Sequence, residues 1–155
     1  MESIKEIQES NIIGLDTSIF IYFIEENPKY YNLLKDIFGR CYSGTKPLKL
    51  VTSIITLIEV LTKPMKLGNT DLAKKYRDIL LNSENVLVLP IENNIAEKSA
   101  ELRAKYNFLR TPDAIQIATS ICTDTKHFLS NDIKLKNVKE VKCLTLDEYC
   151  GKAVN

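Results

Sequence analysis

The sequence predicts an α/β domain in which a parallel sheet lies between layers of helices. Short apolar runs of the buried-strand type alternate with helical segments along the chain, and this alternation is typical of parallel sheets covered on both faces. A chain of 155 residues is about one domain in length. With 45% hydrophobic and 26% charged residues, its composition excludes disordered and low-complexity proteins. We therefore expect a single domain over residues 1–155, with residues 1–10 as an acidic N-terminal extension.

Each predicted strand is a short apolar run, and each predicted helix has a capping residue or apolar side chains spaced for one face. Thr17 and Ser53 can start helices directly after the first two strands. The second of these helices is expected to stop before Pro64, because a residue that precedes proline disfavours the helical conformation. In order, the predicted elements are a strand at 11–15, helices at 17–26 and from Pro28, a strand at 48–52, helices from Ser53 and from Asn69, a strand at 86–89, helices at 92–106 and from Thr111, strands at 127–129 and 141–144, and a helix at 146–150.

Several features bear on the cellular context of the protein. The first residues are polar and acidic, which is unlike a secretory signal, and no apolar run approaches the roughly 18 residues of a membrane helix. The four cysteines form no CxxC motif and the chain has one histidine, which argues against a structural zinc site and a disulfide scaffold. We therefore expect a cytoplasmic protein that is not inserted in a membrane.

Charge is unevenly distributed, although the formal net charge of +1 does not indicate a nucleic-acid-binding protein. Residues 1–26 contain one lysine and six acids, whereas residues 40–77 contain eight basic and two acidic residues. Residues 103–142 contain eight basic and four acidic residues. Basic stretches of this kind can line the path of a polyanion such as RNA. The alternative, that surface charge simply varies along a chain, explains the same pattern.

Four acidic residues stand near positions where a parallel sheet presents its ligands, which is at the carboxyl ends of the strands. Asp16 follows the first strand and Asp132 the fourth, Asp113 falls in the first turn of a helix, and Glu59 lies on an otherwise apolar helix. Each one alone has an ordinary structural explanation: a helix N-terminus favours an acid, an Asx turn uses an aspartate, and a solvated helix face carries charge. Their number and placement favour a shared role.

Carboxylates that converge on one point repel each other unless a cation neutralises them. Oxygen-only ligands suit Mg²⁺ or Mn²⁺, and these ions commonly bind phosphate oxygens. Such ions also lower the pKa of water and stabilise a leaving oxygen. The four acids therefore point to phosphodiester hydrolysis that requires no histidine base. Arg110, just before the Asp113 helix, is the candidate cation for contacting a phosphate.

The segments that contain these acids, at 15–18, 53–61, 110–118 and 128–132, resemble the PIN domain. Within that superfamily they look most like the VapC-type ribonuclease toxins of prokaryotic toxin–antitoxin pairs. The resemblance covers about residues 11–147 and rests on all four segments in this order. It implies a three-layer α/β/α PIN-like fold with a central parallel sheet. It also implies an endoribonuclease that depends on Mg²⁺ or Mn²⁺, one ion or two, and leaves a 5′-phosphate and a 3′-hydroxyl.

Site residues and partners also follow from this resemblance. It implies an RNA substrate, a cognate antitoxin that covers the site, and a homodimer. Two features depart from the family pattern: Ser130 stands where threonine is usual, and residues 1–10 precede a first strand that usually begins almost at once. The implied catalytic and metal-binding residues are Asp16, Glu59, Asp113 and Asp132, and the implied supporting residues are Thr17, Ser18 and Asn131.

Two other functions are compatible with parts of this pattern. An aspartyl-phosphate phosphatase would use Asp16 as its nucleophile, but such enzymes usually have a second acid two residues later, where this chain has Ser18. A PIN-like module that binds RNA or protein without cutting would not need four carboxylates. The spacing of Phe20, Tyr22 and Phe23 predicts core side chains rather than a platform for stacking bases.

Overall fold

The computed structural model describes residues 2–150, with side chains described from residue 5 onward; Met1 and residues 151–155 of the expected domain lie outside this range. Five strands form one sheet in the order β3-β2-β1-β4-β5, and all four neighbouring pairs are parallel. The sequence prediction of a parallel sheet is confirmed. The strands are β1 (Ile12–Leu15), β2 (Lys49–Ser53), β3 (Val86–Leu89), β4 (His127–Ser130) and β5 (Lys142–Thr145).

Helices connect the strands and form the outer layers. Short 3₁₀ turns lie at Arg40–Tyr42 and Ile133–Asn137. Within the described residues no helix is both long and apolar enough to cross a membrane. The helices are α1 (Glu2–Glu9), α2 (Thr17–Ile24), α3 (Tyr31–Gly39), α4 (Ile54–Lys66), α5 (Thr70–Asn82), α6 (Asn93–Lys105), α7 (Thr111–Cys122) and α8 (Asp147–Cys150).

Two hydrophobic cores, one on each face of the sheet, give the three-layer α/β/α arrangement. Successive strand residues point to opposite faces. Phe128 therefore packs with α6 and α7, whereas Leu129 packs with α2, α3 and α5 on the other side. Cys143 and Leu144 of β5 divide in the same way. The expected fold class is confirmed.

Helix α7 lies unusually close to the sheet at Gly14, in the middle of β1. A Cβ atom at this position would lie 2.0 Å from Ser120 Oγ and 2.9 Å from a ring carbon of Phe128. Glycine is therefore required for the close approach of α7 to β1. Because α7 also carries Asp113 in its first turn, this contact fixes the position of a candidate site residue.

The boundaries of two helices differ from the sequence prediction. Helix α4 does not stop before Pro64 but continues to Lys66, with Pro64 buried inside it. Proline removes one backbone hydrogen bond of a helix, and here the loss falls in the last turn of α4, where Pro64 is buried. Helix α3 begins at Tyr31 rather than at Pro28, because Asn27 Oδ1 accepts a hydrogen bond from the backbone N–H of Lys29 and forms a turn first.

The acidic N-terminal segment, for which no element was predicted, forms helix α1 and packs against the domain. Ile7 is buried in the larger core. Arg40 donates hydrogen bonds to the carbonyl oxygens of Ile7, Gln8 and Ser10, which are free acceptors at the end of this helix. His127, expected to have only a packing or surface role, lies 3.1 Å from Ser10 Oγ through its Nδ1.

Candidate active site

An open cleft of about 380 Å³ lies at the carboxyl ends of β1 and β4. The strand order reverses between these two strands, and open α/β sheets bind ligands at such a point. All eight site residues singled out in the sequence line this cleft: Asp16, Thr17, Ser18, Glu59, Arg110, Asp113, Asn131 and Asp132.

Asp16 is held between the two central strands. It is the N-cap of α2, and its Oδ1 accepts a hydrogen bond from the backbone N–H of Thr17 at 2.8 Å. Its Oδ2 accepts one from Ser130 Oγ at 2.7 Å. Burial raises the pKa of Asp16, the two hydrogen bonds oppose this shift, and the charges of Asp113 and Asp132 add to it. The carboxylate is therefore fixed in place, but its negative charge is held at a cost in free energy.

Glu59 approaches the same cleft from the exposed side of α4. Thr17 Oγ1 donates a hydrogen bond to Glu59 Oε1 at 3.3 Å. Partial burial raises the pKa of Glu59, and the charges of Asp16 and Asp113 raise it further. Glu59 is therefore close enough to Asp16 and Asp113 for their charges to add to the effect of burial. Ser18, on the same turn of α2 as Thr17, is half-buried in the cleft wall.

Asp113 lies in the first turn of α7 and is paired with Arg110. Arg110 Nε donates to Asp113 Oδ2 at 3.0 Å and Nη2 donates to Oδ1 at 3.3 Å. The Asp113 side chain is only 14% exposed, whereas that of Arg110 is 77% exposed. Among the described residues that line the cleft, Arg110 is the one cation, and its guanidinium offsets part of the negative charge there.

Asp132 and its neighbours complete the cleft at the end of β4. Ser130 Oγ accepts a hydrogen bond from the backbone N–H of Asp132 at 3.1 Å while it donates to Asp16. Asp132 Oδ1 accepts from the backbone N–H of Lys134 at 3.0 Å. Asn131 Nδ2 donates to the hydroxyl of Tyr30 at 2.9 Å, whereas its Oδ1 is buried and has no partner among the described residues. Ser130 thus supplies a hydroxyl that links two of the acids.

A buried network of amide and hydroxyl groups lies behind the carboxylates, and its central residue, Gln116, was not predicted from the sequence. Gln116 Nε2 donates to Thr17 Oγ1 at 3.1 Å and to Thr56 Oγ1 at 2.6 Å. Its Oε1 accepts from the backbone N–H of Ser53 at 3.0 Å and from Thr52 Oγ1 at 3.1 Å. Since Gln116 donates to Thr17, the hydroxyl hydrogen of Thr17 is free to point at Glu59. The sequence did contain one indication of this role: Gln116 follows Asp113 by about one helical turn, so both side chains lie on the same face of α7.

Tyr22 is a second residue that the sequence analysis did not place at the site. It packs against the core as predicted, but it also lines the cleft together with the four acids. The apolar spacing of α2 gave no sign of this second contact, because it depends on where the helix lies relative to β4.

The donors in the cleft are suited to a hard divalent cation. They are carboxylate oxygens and the unpartnered amide oxygen of Asn131, which is the ligand chemistry of Mg²⁺ and Mn²⁺. Burial and, to a smaller extent, the neighbouring acids raise the pKa values of Asp16 and Glu59, and a bound cation would stabilise their charged forms. Over residues 2–150, however, no three acidic, histidine or cysteine side chains converge into a cluster that could hold a metal ion. The structure therefore brings the acids to one cleft without gathering them tightly.

Comparisons with known proteins place this site in a wider group. A family model of the PIN domain matches residues 13–141, which include all four acids. No protein of curated function matches the sequence. Among solved structures, the fold is similar to VapBC2 from Rickettsia felis bound to a DNA fragment from its promoter, with a TM-score of 0.67, 18% identity, and coverage of 86% of this chain and 98% of that chain.

Two further solved structures have the same fold. One is a toxin–antitoxin complex from Klebsiella pneumoniae, with a TM-score of 0.64, 22% identity, and coverage of 88% of this chain and 98% of that chain. The other is Mycobacterium tuberculosis VapC20, a sarcin–ricin loop cleaving toxin, with a TM-score of 0.63, 18% identity, and coverage of 84% and 98%. Because the family model spans most of the sequence, this chain belongs to the PIN domain family.

Proposed function

We propose that this protein is a metal-dependent endoribonuclease that hydrolyses RNA phosphodiester bonds. The observation that supports this most is the shared cleft: Asp16, Glu59, Asp113 and Asp132 arrive from four different segments of the chain and line one open site at the switch point of a parallel sheet. Membership of the PIN family supports the same activity. Among the described residues that line this cleft, the charged side chains are the four carboxylates and Arg110.

The four acids hold one or two Mg²⁺ or Mn²⁺ ions in this proposal. When bound, such an ion lowers the pKa of water and offsets the charge of a phosphate. Asp16 and Asp113 would hold the metal, and Ser130 keeps the Asp16 carboxylate oriented through its 2.7 Å hydrogen bond. Thr17 orients Glu59 through its hydroxyl. Ser18 and Asn131 are the remaining supporting residues.

Arg110 has two roles that alternate in the proposed cycle. Without substrate its guanidinium donates to both oxygens of Asp113. A phosphodiester offers the same pair of acceptor oxygens, and arginine binds phosphate and carboxylate with the same fork of donors. Arg110 can therefore exchange Asp113 for the phosphate when RNA binds, and in the RNA-free protein its pairing with Asp113 would compete with a metal for that carboxylate.

We further propose that the protein is the toxin of a toxin–antitoxin pair. It would act in the cytoplasm, bind a cognate antitoxin that covers the cleft, and form a homodimer. The similarity in fold to VapBC2 from Rickettsia felis and to a toxin–antitoxin complex from Klebsiella pneumoniae supports this assignment. Co-purification with the protein encoded beside it, and loss of cleavage in that complex, would test it.

The enzymatic activity is tested by incubating the purified protein with a mixed RNA pool in Mn²⁺, in Mg²⁺ and in EDTA. We expect cleavage with either ion and none in EDTA, with 5′-phosphate ends on the products. Asp16→Asn should abolish cleavage. Asp36→Asn is the matched control, because Asp36 is exposed on α3 and remote from the cleft.

The same assay separates a nuclease from a binding-only module. If Asp16→Asn leaves function intact or strengthens RNA binding while the wild-type protein cuts nothing with either ion, the module interpretation replaces the nuclease. Cleavage that survives in EDTA would also contradict the proposal.

A further inference from the structure

The cleft contains one aromatic side chain that the chemistry of the carboxylates does not use. Tyr22 lies on the same face of α2 as Ser18 and Ile21, and all three line the cleft with the four acids. Tyr22 is six residues beyond Asp16 in the sequence, which places it roughly 9 Å further along the helix. This separation is comparable to the size of one nucleotide.

The ring of Tyr22 is held in a defined orientation. It packs on the ring of Tyr30, with centroids 4.9 Å apart and an angle of 36° between the planes. Tyr30 itself is only 6% exposed. Its hydroxyl donates to Asp147 Oδ1 at 2.8 Å and accepts from Asn131 Nδ2 at 2.9 Å. The aromatic pair is therefore rigid, and it is tied to the loop that carries Asp132.

The environment of Tyr22 differs from that of a core tyrosine. Its side chain is half-buried, and no side chain in the described part of the chain forms a hydrogen bond with its hydroxyl. By contrast, the hydroxyls of Tyr30, Tyr76 and Tyr106 all have carboxylate partners. Tyr22 thus presents a fixed, partly exposed aromatic surface to a polar cleft.

We propose that Tyr22 is a specificity-determining residue that stacks on an unpaired base next to the scissile phosphate. Aromatic side chains that bind single-stranded nucleic acid do so by stacking on bases, which is tolerant of sequence. A base in a duplex offers no free face to such a ring. Tyr22 therefore requires an unpaired base at this one position, and this inference rests on the proposed nuclease activity.

The test uses a short RNA that spans a bond cut by the wild-type protein, and the same RNA with an abasic ribose beside that bond. Stacking of one base on one ring corresponds to about 5- to 150-fold in affinity. We expect Tyr22→Ala and Tyr22→Leu to raise KM by a factor in this range with a much smaller change in kcat, and Tyr22→Phe to behave as wild type. Tyr42→Ala is the control, because Tyr42 is 69% exposed and lies outside the cleft.

The abasic RNA distinguishes stacking from a structural effect of the substitution. It should raise KM for the wild-type protein but have almost no further effect in Tyr22→Leu, which keeps an apolar side chain but has no ring. An equal abasic effect in both proteins, or wild-type KM in Tyr22→Leu, would overturn the role of Tyr22. If the wild-type protein cuts no RNA with Mn²⁺ or Mg²⁺, the nuclease proposal fails and this inference fails with it. Cleavage by the wild type that is unaffected at Tyr22 refutes this inference alone.

Discussion

Replacing Gln116 by leucine tests whether the buried polar network supports the site. The Gln116 side chain is 2% exposed and takes part in four hydrogen bonds. In Gln116→Leu the hydroxyls of Thr17, Thr52 and Thr56 can bond to one another, since the oxygens of Thr17 and Thr56 are 3.0 Å apart and those of Thr52 and Thr56 are 2.7 Å apart. The backbone N–H of Ser53 loses its acceptor and remains buried.

The expected loss of stability follows from the hydrogen bonds that are lost and those that can re-form. One buried donor without an acceptor costs about 1–3 kcal/mol, and the rearranged hydroxyls add to this. We expect the free energy of unfolding to fall by about 2–4 kcal/mol, and the melting temperature by roughly 5–15 °C for a chain of this size.

The assay is urea unfolding followed by circular dichroism in EDTA, so that metal binding does not contribute. Gln8→Leu is the matched control, because Gln8 is exposed on α1 and its change should stay within about 0.5 kcal/mol. If Gln116→Leu is as stable as Gln8→Leu, the reasoning about this network is wrong.

Three other outcomes follow from the structure. Burial raises the pKa of Asp16 and of Glu59, so the folded protein holds these protons more tightly than the unfolded chain, and the stability they contribute is lost as pH rises from the ordinary carboxylate range through the raised pKa values. Asp16→Asn should therefore raise the metal-free melting temperature at neutral pH and flatten its decline as pH rises above the ordinary carboxylate range, whereas a melting temperature equal to or below that of wild type at neutral pH would contradict this. Arg110→Ala removes the cation paired with Asp113. Calorimetry should show tighter Mn²⁺ binding, because Arg110 no longer competes with the metal for Asp113, while KM for RNA rises. Weaker Mn²⁺ binding would be evidence against this competition. Arg40→Ala removes three hydrogen bonds to the end of α1. Hydrogen exchange in residues 5–9 should accelerate, and the free energy of unfolding should fall by about 1–2 kcal/mol. Unchanged exchange there would show that the core contact of Ile7 alone holds the helix.

The fold could be predicted from the sequence because its signals are local. Apolar runs such as 11–15 and 86–89 identify strands, and Ser53 marks the start of α4 as predicted, whereas the N-cap of α2 is Asp16, one residue before Thr17. Pro64 was misjudged because the local rule against proline in a helix takes no account of a buried ring in the last turn. Helix α1 was missed because its stability depends on tertiary contacts, through Ile7 and Arg40, that no local pattern reveals.

Part of the candidate site could also be predicted from local signals. Asp16 and Asp132 directly follow strands, so topology alone predicts that they share one edge of the sheet. Gln116 and Tyr22 were not identified, because an amide on a buried helix and a tyrosine on an apolar one have ordinary structural roles until the helices are positioned around the cleft; for Gln116 the spacing from Asp113 was the one available signal. The pairing of Arg110 with Asp113 likewise depends on side-chain geometry.

Calorimetric titration with Mn²⁺ tests the central claim most directly, which is that acids from four segments form one divalent metal site. The account predicts that the wild-type protein and Asp36→Asn bind Mn²⁺ alike, and that Asp16→Asn and Asp113→Asn each lose most of the affinity. Equal affinity in all four proteins, or no binding to the wild type, would contradict it.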